Sequence, residues 1–374
     1  MKQPEKIRIG VLFGGRSGEH EVSLMSARSV LSVLDLQKYE VTQIGITHDG
    51  QWLSGENALE ALVSGDTASL TRIALLPEPG DNTLYAIRES GQTTRMEPLT
   101  TLDVIFPVLH GSFGEDGTLQ GLLEMAGVAY IGAGVLGSSV CMDKALFKDL
   151  LLAHHLPTPA YHVFDRSTVK NNIEQVIEKV EQIGDYPLFV KPANMGSSVG
   201  VSKVNGRSDL MEGLLEACRF DRRILVEQGI NAREIEVSVL GNNDPQASIP
   251  GEIIPSREFY SYEAKYIDDR SELLIPAPLD PEALQFIREL AVKVYRAADC
   301  AGMARVDFLV DKDTGKVYVN EVNTIPGFTK ISMYPKLWEA SGLPYAGLVD
   351  RLVELAFDRK MERDQTEYRY GRME

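Results

Sequence analysis

Residues 189–204, FVKPANMGSSVGVSKV, carry the strongest local signal of chemistry in the chain. A β-rich run ends at Lys191, a loop of small residues follows, and a second β-rich run resumes at Val201. Small residues let the backbone approach an anion, and successive N–H groups can then hold phosphate oxygens. An ordinary hairpin turn explains the same residues, because Gly and Ser are common in turns. A Walker A loop is excluded, because no Gly-Lys-Ser/Thr triplet opens a helix here.

The segments on both sides of this loop predict a small α+β domain, which we assign to residues 133–227. An antiparallel hairpin lies at its centre, with helices to either side. We expect helices over 143–154, 171–183 and 209–220, and strands near Tyr161 and over 187–191, 201–204 and 223–227.

The residues before this domain predict an N-terminal α/β domain over 1–132. Strands and helices alternate there, which is typical of a parallel sheet covered by helices, a Rossmann-like arrangement. The stretch 14–18 does not match the dinucleotide fingerprint G-x-G-x-x-G, and 65–100 is less regular and predicts an insertion or hairpin. The strands are expected over 6–13, 39–47, 103–110 and 129–131, and the helices over 19–36 and 117–127.

The residues after it predict a C-terminal domain over 228–374. Its polar stretch 256–271 shows little periodicity and is expected to be a lid, since long loops in compact domains are often functional. The charged tail 358–374 is expected to fray. Strands are expected over 233–240, 246–254, 304–310 and 316–322, and helices over 281–298, 333–340 and 346–357.

Composition narrows the class of protein. The 374 residues include 38 Lys and Arg against 54 Asp and Glu, and the net charge of -16 repels nucleic-acid backbones and anionic membranes. A nucleotide needs only a local cluster of lysines and N–H groups, so ATP is not excluded. The three cysteines are widely spaced, so no disulfide framework or zinc motif is expected. With no signal-peptide pattern and no membrane-length apolar run, we expect a cytoplasmic protein.

Two strands near the C-terminus predict a metal site. Arg305 and Asp307 share one face of their strand, and Glu321 and Asn323 share one face of the next, because side chains alternate along a strand. If the faces coincide, two carboxylates and an amide oxygen meet, and such ligands suit Mg²⁺. A solvated hairpin with cross-strand charge pairs is the alternative. The Gly327 turn that follows offers N–H groups to an oxyanion.

Two further residues admit either a functional or a purely structural role. Glu19 lies near the start of the first helix, where a carboxylate ordinarily stabilises the helix dipole. His110 lies where a strand gives way to a loop, the usual place of ligand sites in α/β sheets, but it can equally be a packed histidine.

Taken together, these segments resemble the ATP-grasp superfamily and, within it, the D-alanine-D-alanine ligase family, from about Ile7 to Phe357. The match comprises eight separate motifs in the family's order. They are GGRSGEHEVSL (14–24), HGSFGEDGTLQG (110–121), CMDK (141–144), FVKPANMGSSVGVSKV (189–204), EQGINAREIEV (227–237), FYSYEAKY (259–266), GMARVDF (302–308) and NEVNTIPGFTKISMYP (320–335).

The resemblance implies a three-domain ATP-grasp architecture and a role for each matching residue. Lys144 and Lys191 would contact ATP phosphates, and Glu227 and Glu234 would bind adenine and ribose. Asp307, Glu321 and Asn323 would hold two Mg²⁺ ions, with Mn²⁺ as a substitute. The substrate-binding set would be Glu19 and His110 for the first D-alanine, and Lys265, Ser332 and Met333 for the second.

The resemblance also implies the reaction. ATP would convert one D-alanine to an acyl phosphate, and a second D-alanine would attack it to give the dipeptide of peptidoglycan precursors. Arg305 and the N–H of Gly327 would stabilise the oxyanion, while Glu19, Ser197 and Tyr266 would form a hydrogen-bond chain that closes the lid. A homodimer is expected. A D-alanine-D-lactate ligase and a non-catalytic nucleotide-binding protein are the alternatives.

Overall fold

A computed structural model describes residues 5–254 and 272–368. The N-terminal part forms an eight-stranded sheet whose parallel half is β2-β1-β7-β8. Its apolar residues pack on both faces, with α1 on one side and α3 on the other. The elements are β1 (Ile7–Gly14), α1 (His20–Val33), β2 (Tyr39–Ile46), β3 (Trp52–Ser54), α2 (Ala58–Ser64), β4 (Thr71–Leu75), β5 (Thr83–Ser90), β6 (Thr93–Thr101), β7 (Val104–Pro107), α3 (Thr118–Ala126) and β8 (Ala129–Tyr130).

The prediction of a parallel sheet is right for only half of these strands. β3 to β6 extend the sheet beyond β2 in antiparallel order, and β5 and β6 form the hairpin expected within 65–100. Seven of the nine β6 residues are exposed, so hydrophobic alternation gave no sign of this strand.

The second sheet has four antiparallel strands in the order β11-β10-β12-β9. Along β10, Leu188 and Val190 face a helix layer, while Phe189 and Lys191 face the opposite side, because strand side chains alternate. The predicted helix over 171–183 is observed as the shorter α7, and α6, which precedes it, was not predicted. The elements are β9 (Tyr161–Asp165), α6 (Arg166–Asn171), α7 (Ile173–Val180), β10 (Leu188–Pro192), β11 (Ser202–Val204), α8 (Arg207–Phe220) and β12 (Arg223–Gln228).

The third sheet has the order β16-β15-β13-β17-β18, with β14 paired to β13. One face is apolar and packs on α5 and α9, and the other is polar. The predicted strand over 246–254 is the separate strands β14 and β15, and α4 was not predicted. The elements are α4 (Val135–Met142), α5 (Lys144–Ala153), β13 (Ala232–Leu240), β14 (Gln246–Ala247), β15 (Gly251–Ile254), β16 (Glu272–Leu274), α9 (Pro281–Ala297), β17 (Met303–Asp311) and β18 (Val317–Asn323).

Two helices end the described chain, α10 (Met333–Ala340) and α11 (Tyr345–Arg363). The apolar side of α11 belongs to the same core as β1, β7 and α1. The expectation of a frayed tail over 358–374 is wrong for 358–363, which continue the helix, and Arg359 and Arg363 both pair with Glu124 of α3. Residues 369–374 lie outside the described residues. The guanidinium of Arg359 also lies 4.6 Å from the ring centre of Tyr130.

The α/β and α+β fold class is confirmed. The boundaries 1–132, 133–227 and 228–374 stay a prediction. Within the described part of the chain, no helix combines the length and the apolar character that a membrane span needs.

Candidate active site

The second and third sheets face each other across a cleft of about 1260 Å³. Lys191 and Phe189 line it from β10, and Glu234 and Leu309 line it from the third sheet. The floor is the chain segment Gln228–Gly229–Ile230, which joins the two sheets. The volume and the mixture of apolar and charged walls suit a nucleotide.

The small-residue loop between β10 and β11 lies at one end of this cleft. Ser197 and Ser198 both adopt left-handed backbone conformations, with φ of 49° and 59°. Such conformations are costly for residues with a Cβ and cluster at ligand sites. The Nζ of Lys144, at the start of α5, donates to Met195 O at 2.7 Å and so holds the loop against that helix.

Lys191 is one of two lysines that hold a buried carboxylate. The Nζ of Lys191 pairs with Glu227 Oε1, and the Nζ of Lys148 lies 2.7 Å from Glu227 Oε2. Burial alone would raise the pKa of Glu227, but the two ammonium groups lower it to about 2. Burial likewise lowers the pKa of Lys191, yet the Glu227 charge leaves it above its ordinary value. The Lys191 ammonium group, which faces the cleft, therefore stays positively charged.

The carboxylates predicted to bind metal, Asp307 and Glu321, lie on the polar face of the third sheet, and Glu321 lines the same cleft as Lys191. Arg305 is opposite Asn323, and Asp307 is opposite Glu321 in the strand register, so the predicted faces coincide. A β-bulge after Asp307 makes this possible. Val319 and Val322 are buried, whereas Asn320 and Glu321 both line the cleft.

Arg305 is the centre of a charged cluster on this face. Its guanidinium donates to both oxygens of Asp307, at 2.7 and 2.6 Å, and lies 3.0 Å from Glu236. Asn323 Nδ2 also donates to Asp307, at 3.0 Å. Although burial opposes it, the Asp307 and Glu236 charges hold the pKa of Arg305 well above its ordinary value.

A second cavity of about 100 Å³ opens beside the first and is suited to a small molecule. Ser197 Oγ donates to Glu19 in the wall of this cavity, so the small-residue loop meets the start of α1. A Cβ at Gly196 would lie 2.6 Å from Glu19 Oε2, so only glycine allows this approach. Glu19 therefore lies where the N-terminal sheet, the loop and the third sheet meet.

His110 lies in the wall of this cavity and is fully packed. Its Nδ1–H donates to Ile325 O at 3.0 Å, which leaves Nε2 to accept from Ser26 Oγ, also at 3.0 Å. Burial lowers the pKa of His110, so its ring is neutral. In the described structure the ring positions the 325–328 segment, and its predicted contact with a substrate carboxylate stays a prediction.

Glu115 was not assigned a role from the sequence, yet it lines the same cavity. Its oxygens accept from Gly111 N at 3.0 Å and Ile325 N at 3.2 Å. Burial and the nearby charge of Glu19 raise its pKa to about 8. Glu236 and Lys148 were also missed. A signal existed for Glu236, since Glu234 and Glu236 share one face of the predicted strand, but none existed for Lys148.

The remaining predicted residues divide into two groups. Gly327, Ser332 and Met333 line the small cavity, and Ser332 Oγ accepts from Thr329 N at 3.0 Å. Lys265, Tyr266 and the lid 256–271 lie outside the described residues.

Two antiparallel sheets around a lysine-lined cleft, with carboxylates opposite, define the class: an ATP-grasp enzyme. Residues 8–133 match the family model described as D-ala D-ala ligase N-terminus, and residues 150–354 match that of D-ala D-ala ligase C-terminus. A relative from Caldicellulosiruptor bescii named D-alanine--D-alanine ligase is 50% identical over 363 residues, covering 97% of this chain and 98% of the relative. The chain belongs to the D-alanine-D-alanine ligase family.

Solved structures give the same result. The D-alanine-D-alanine ligase of Coxiella burnetii superposes with a TM-score of 0.82 at 38% identity, covering 96% of this chain and 97% of that one. The VanG D-Ala:D-Ser ligase of Enterococcus faecalis superposes with a TM-score of 0.83 at 34% identity, covering 94% and 100%.

Proposed function

We propose that the chain joins two D-alanine molecules at the expense of ATP, and that the residues lining the two cavities carry out the reaction. Family membership supports the overall reaction. The observation that carries the residue assignment is the juxtaposition of a nucleotide-sized cleft and a small cavity, which share Lys144, Ser197 and Glu321 in their walls. D-alanine-D-lactate ligation is not favoured, because the curated relatives at about 50% identity are named D-alanine--D-alanine ligase.

ATP would lie in the larger cleft, with its phosphates at the small-residue loop between β10 and β11 (194–200). Lys144 and Lys191 would neutralise phosphate charge, and Glu234 would bind the ribose. Glu227 is predicted to bind adenine. Its carboxylate is also the counter-ion of Lys191, so it would set the position of that lysine as well.

Asp307, Glu321 and Asn323 fit a magnesium site, because they present two carboxylates and an amide on one sheet face. They would hold the two Mg²⁺ ions, with Mn²⁺ as a substitute. When bound, the ions would neutralise charge on the transferred phosphoryl group.

The small cavity would hold the amino acids. Glu19 would bind the ammonium group of the first D-alanine, whose carboxylate oxygen attacks the γ-phosphorus of ATP to give an acyl phosphate and ADP. Lys265, Ser332 and Met333 would orient the second D-alanine, whose neutral amine attacks the acyl carbon. The C–O bond to phosphate then breaks, inorganic phosphate leaves, and the nitrogen loses a proton to give the dipeptide. Arg305 and Gly327 N–H would stabilise the oxyanion, a role worth about 3 kcal/mol per donor.

The proposal also covers how the site closes and where and in what oligomeric state the enzyme works. Residues 256–271 would exclude water from the acyl phosphate, with Tyr266 hydrogen-bonded to Ser197 and Glu19. The enzyme would work as a homodimer in the cytoplasm and supply the dipeptide for peptidoglycan precursors.

The test is ADP release by the purified chain with ATP and Mg²⁺. The candidate substrates are D-alanine, L-alanine, D-lactate and D-serine, with products identified by mass. D-alanine carrying ¹⁸O in its carboxylate should transfer one ¹⁸O to inorganic phosphate, because the acyl phosphate passes that oxygen to phosphate. ADP release without dependence on D-alanine, or phosphate without the label, would contradict the proposal.

A further inference from the structure

Three side chains outside the two cavities group together at the start of α1. They are His20 and Glu21 of the first helical turn and His48 of the turn that follows β2. One ligating atom from each lies within 4.8 Å of the other two. The proposed reaction uses none of them.

His20 is held in the form that binds a metal. Its side chain is buried, and its Nδ1 lies 2.8 Å from Gly15 O. A carbonyl oxygen only accepts, so Nδ1 carries the proton and Nε2 holds a lone pair. Histidine ligands of metals typically donate their other ring N–H to a carbonyl or carboxylate in this way.

His48 and Glu21 can move to complete the set. The His48 ring stacks on His20 with centroids 3.8 Å apart, and its Nε2 lies 3.8 Å from Glu21 Oε1. Their side chains are 69% and 67% exposed, so rotation costs little packing. Zinc bonds of about 2.1 Å place tetrahedral ligand atoms about 3.4 Å apart. Two stacked rings cannot both direct an in-plane lone pair at one ion, so the His48 ring must turn out of the stack to bind, and its exposure permits this rotation.

A cation bound at the start of α1 needs the negative charge of the Glu21 carboxylate. The N-terminus of α1 is the positive end of the helix dipole and opposes a cation. Glu21 offsets this locally, and the net charge of -16 favours cations overall.

We propose that His20, Glu21 and His48 bind one divalent transition-metal ion, with Zn²⁺ as the representative, at a site distinct from the magnesium residues. Two imidazoles and one carboxylate form a zinc-type donor set with an open fourth position, whereas Mg²⁺ prefers oxygen ligands alone. The ion would tie α1 to the turn after β2. This inference does not depend on the proposed catalytic function.

The experiment titrates Zn²⁺ into the full chain against a chromophoric chelator, with excess Mg²⁺ present to occupy oxygen-ligand sites. The chains compared are wild type, His48→Gln, Glu21→Gln and the control His162→Gln, which alters an exposed histidine of β9. We expect one tight Zn²⁺ per wild-type and control chain, at least tenfold weaker binding in the two site variants, and a Zn²⁺-induced rise in Tm lost with them.

Cobalt substitution separates this site from the thiols of Cys141 and Cys300, which lie 3.7 Å apart. Bound Co²⁺ should lack the intense near-ultraviolet thiolate charge-transfer band. A thiolate band, equal affinity in all four chains, or no tight Zn²⁺ in wild type would each overturn the proposal.

Discussion

Lys148→Met removes a cation buried beside Glu227 without touching the wall of the nucleotide cleft. The Lys148 side chain is 2% exposed and that of Glu227 is 3% exposed, so solvent cannot replace the lost charge. The pKa of Glu227 is about 2 against an ordinary 4.5. That difference corresponds to about 3 kcal/mol of net stabilisation of the carboxylate, after the opposing effect of burial has been overcome by its two lysines.

The loss of unfolding free energy in Lys148→Met should be of the same order as this stabilisation. Breaking a buried pair by removing one partner costs about 3–5 kcal/mol, because the other charge stays buried. We expect the variant to lose about 3 kcal/mol of unfolding free energy at pH 7, which lowers Tm by roughly 4 °C in a chain of 374 residues. A pKa below the unfolded value means that this stability is present above pH 4.5 and lost as the pH falls towards 2. The free energy of unfolding of Lys148→Met should therefore fall less than that of the wild type when the pH is lowered.

Calorimetry at pH 7 and pH 4 measures both effects, and Lys170→Met, an exposed lysine of α6, is the control. KM for ATP should rise more than KM for D-alanine, because Glu227 then pairs with Lys191 alone. If Lys148→Met melts within 1 or 2 °C of the control, or shows unchanged acid sensitivity, Lys148 does not stabilise Glu227.

Glu321→Gln should lose at least about 100-fold in ADP release at saturating Mg²⁺ while Tm stays near wild type, because it removes a charge facing the metal; near-normal turnover would remove Glu321 from the metal site. The pKa of Glu115 is raised to about 8, so its contribution to stability is present below pH 4.5 and lost as pH rises through 8. Glu115→Gln should flatten the decline of Tm between pH 6 and 9, and a parallel decline in both proteins would refute this. Removing residues 358–374 should lower Tm markedly, whereas removing 366–374 should not, since only the longer deletion takes both arginines that pair with Glu124; equal Tm values would show that these pairs do not stabilise the fold.

Periodicity predicted the fold best where one face of an element is buried. The helix Met333–Ala340 is observed with the predicted ends, and its buried residues follow helical spacing. Antiparallel β6 escaped prediction because it is exposed on both faces. Helix α4 was not predicted, because the sequence shows a clear helix start only at Asp143, where α4 ends. Asp143 caps the next helix, α5, by accepting from Leu146 N.

The candidate site was predictable where its residues share an element or a motif. Strand alternation predicted that Asp307 and Glu321 share a sheet face, and the register confirms this, whereas their role in metal binding follows from the family resemblance and stays a prediction. The bulge beside Asp307 could not be predicted. Without it, strict alternation from the buried Val319 would place the Glu321 side chain in the core. Glu115 acquires its raised pKa from burial and from Glu19, a partner that only the tertiary fold brings near it.

The packing of α11 against β7 and β8 has a consequence for synthesis of the protein. The N-terminal sheet emerges from the ribosome before α11, but the apolar face that α11 covers includes Phe106 and Ala129. Until α11 leaves the exit tunnel, the part of that face beyond α1 lacks its final cover. The N-terminal sheet is thus translated well before its packing is completed, and nascent chains that stall before residue 345 should bind chaperones through this part of the face.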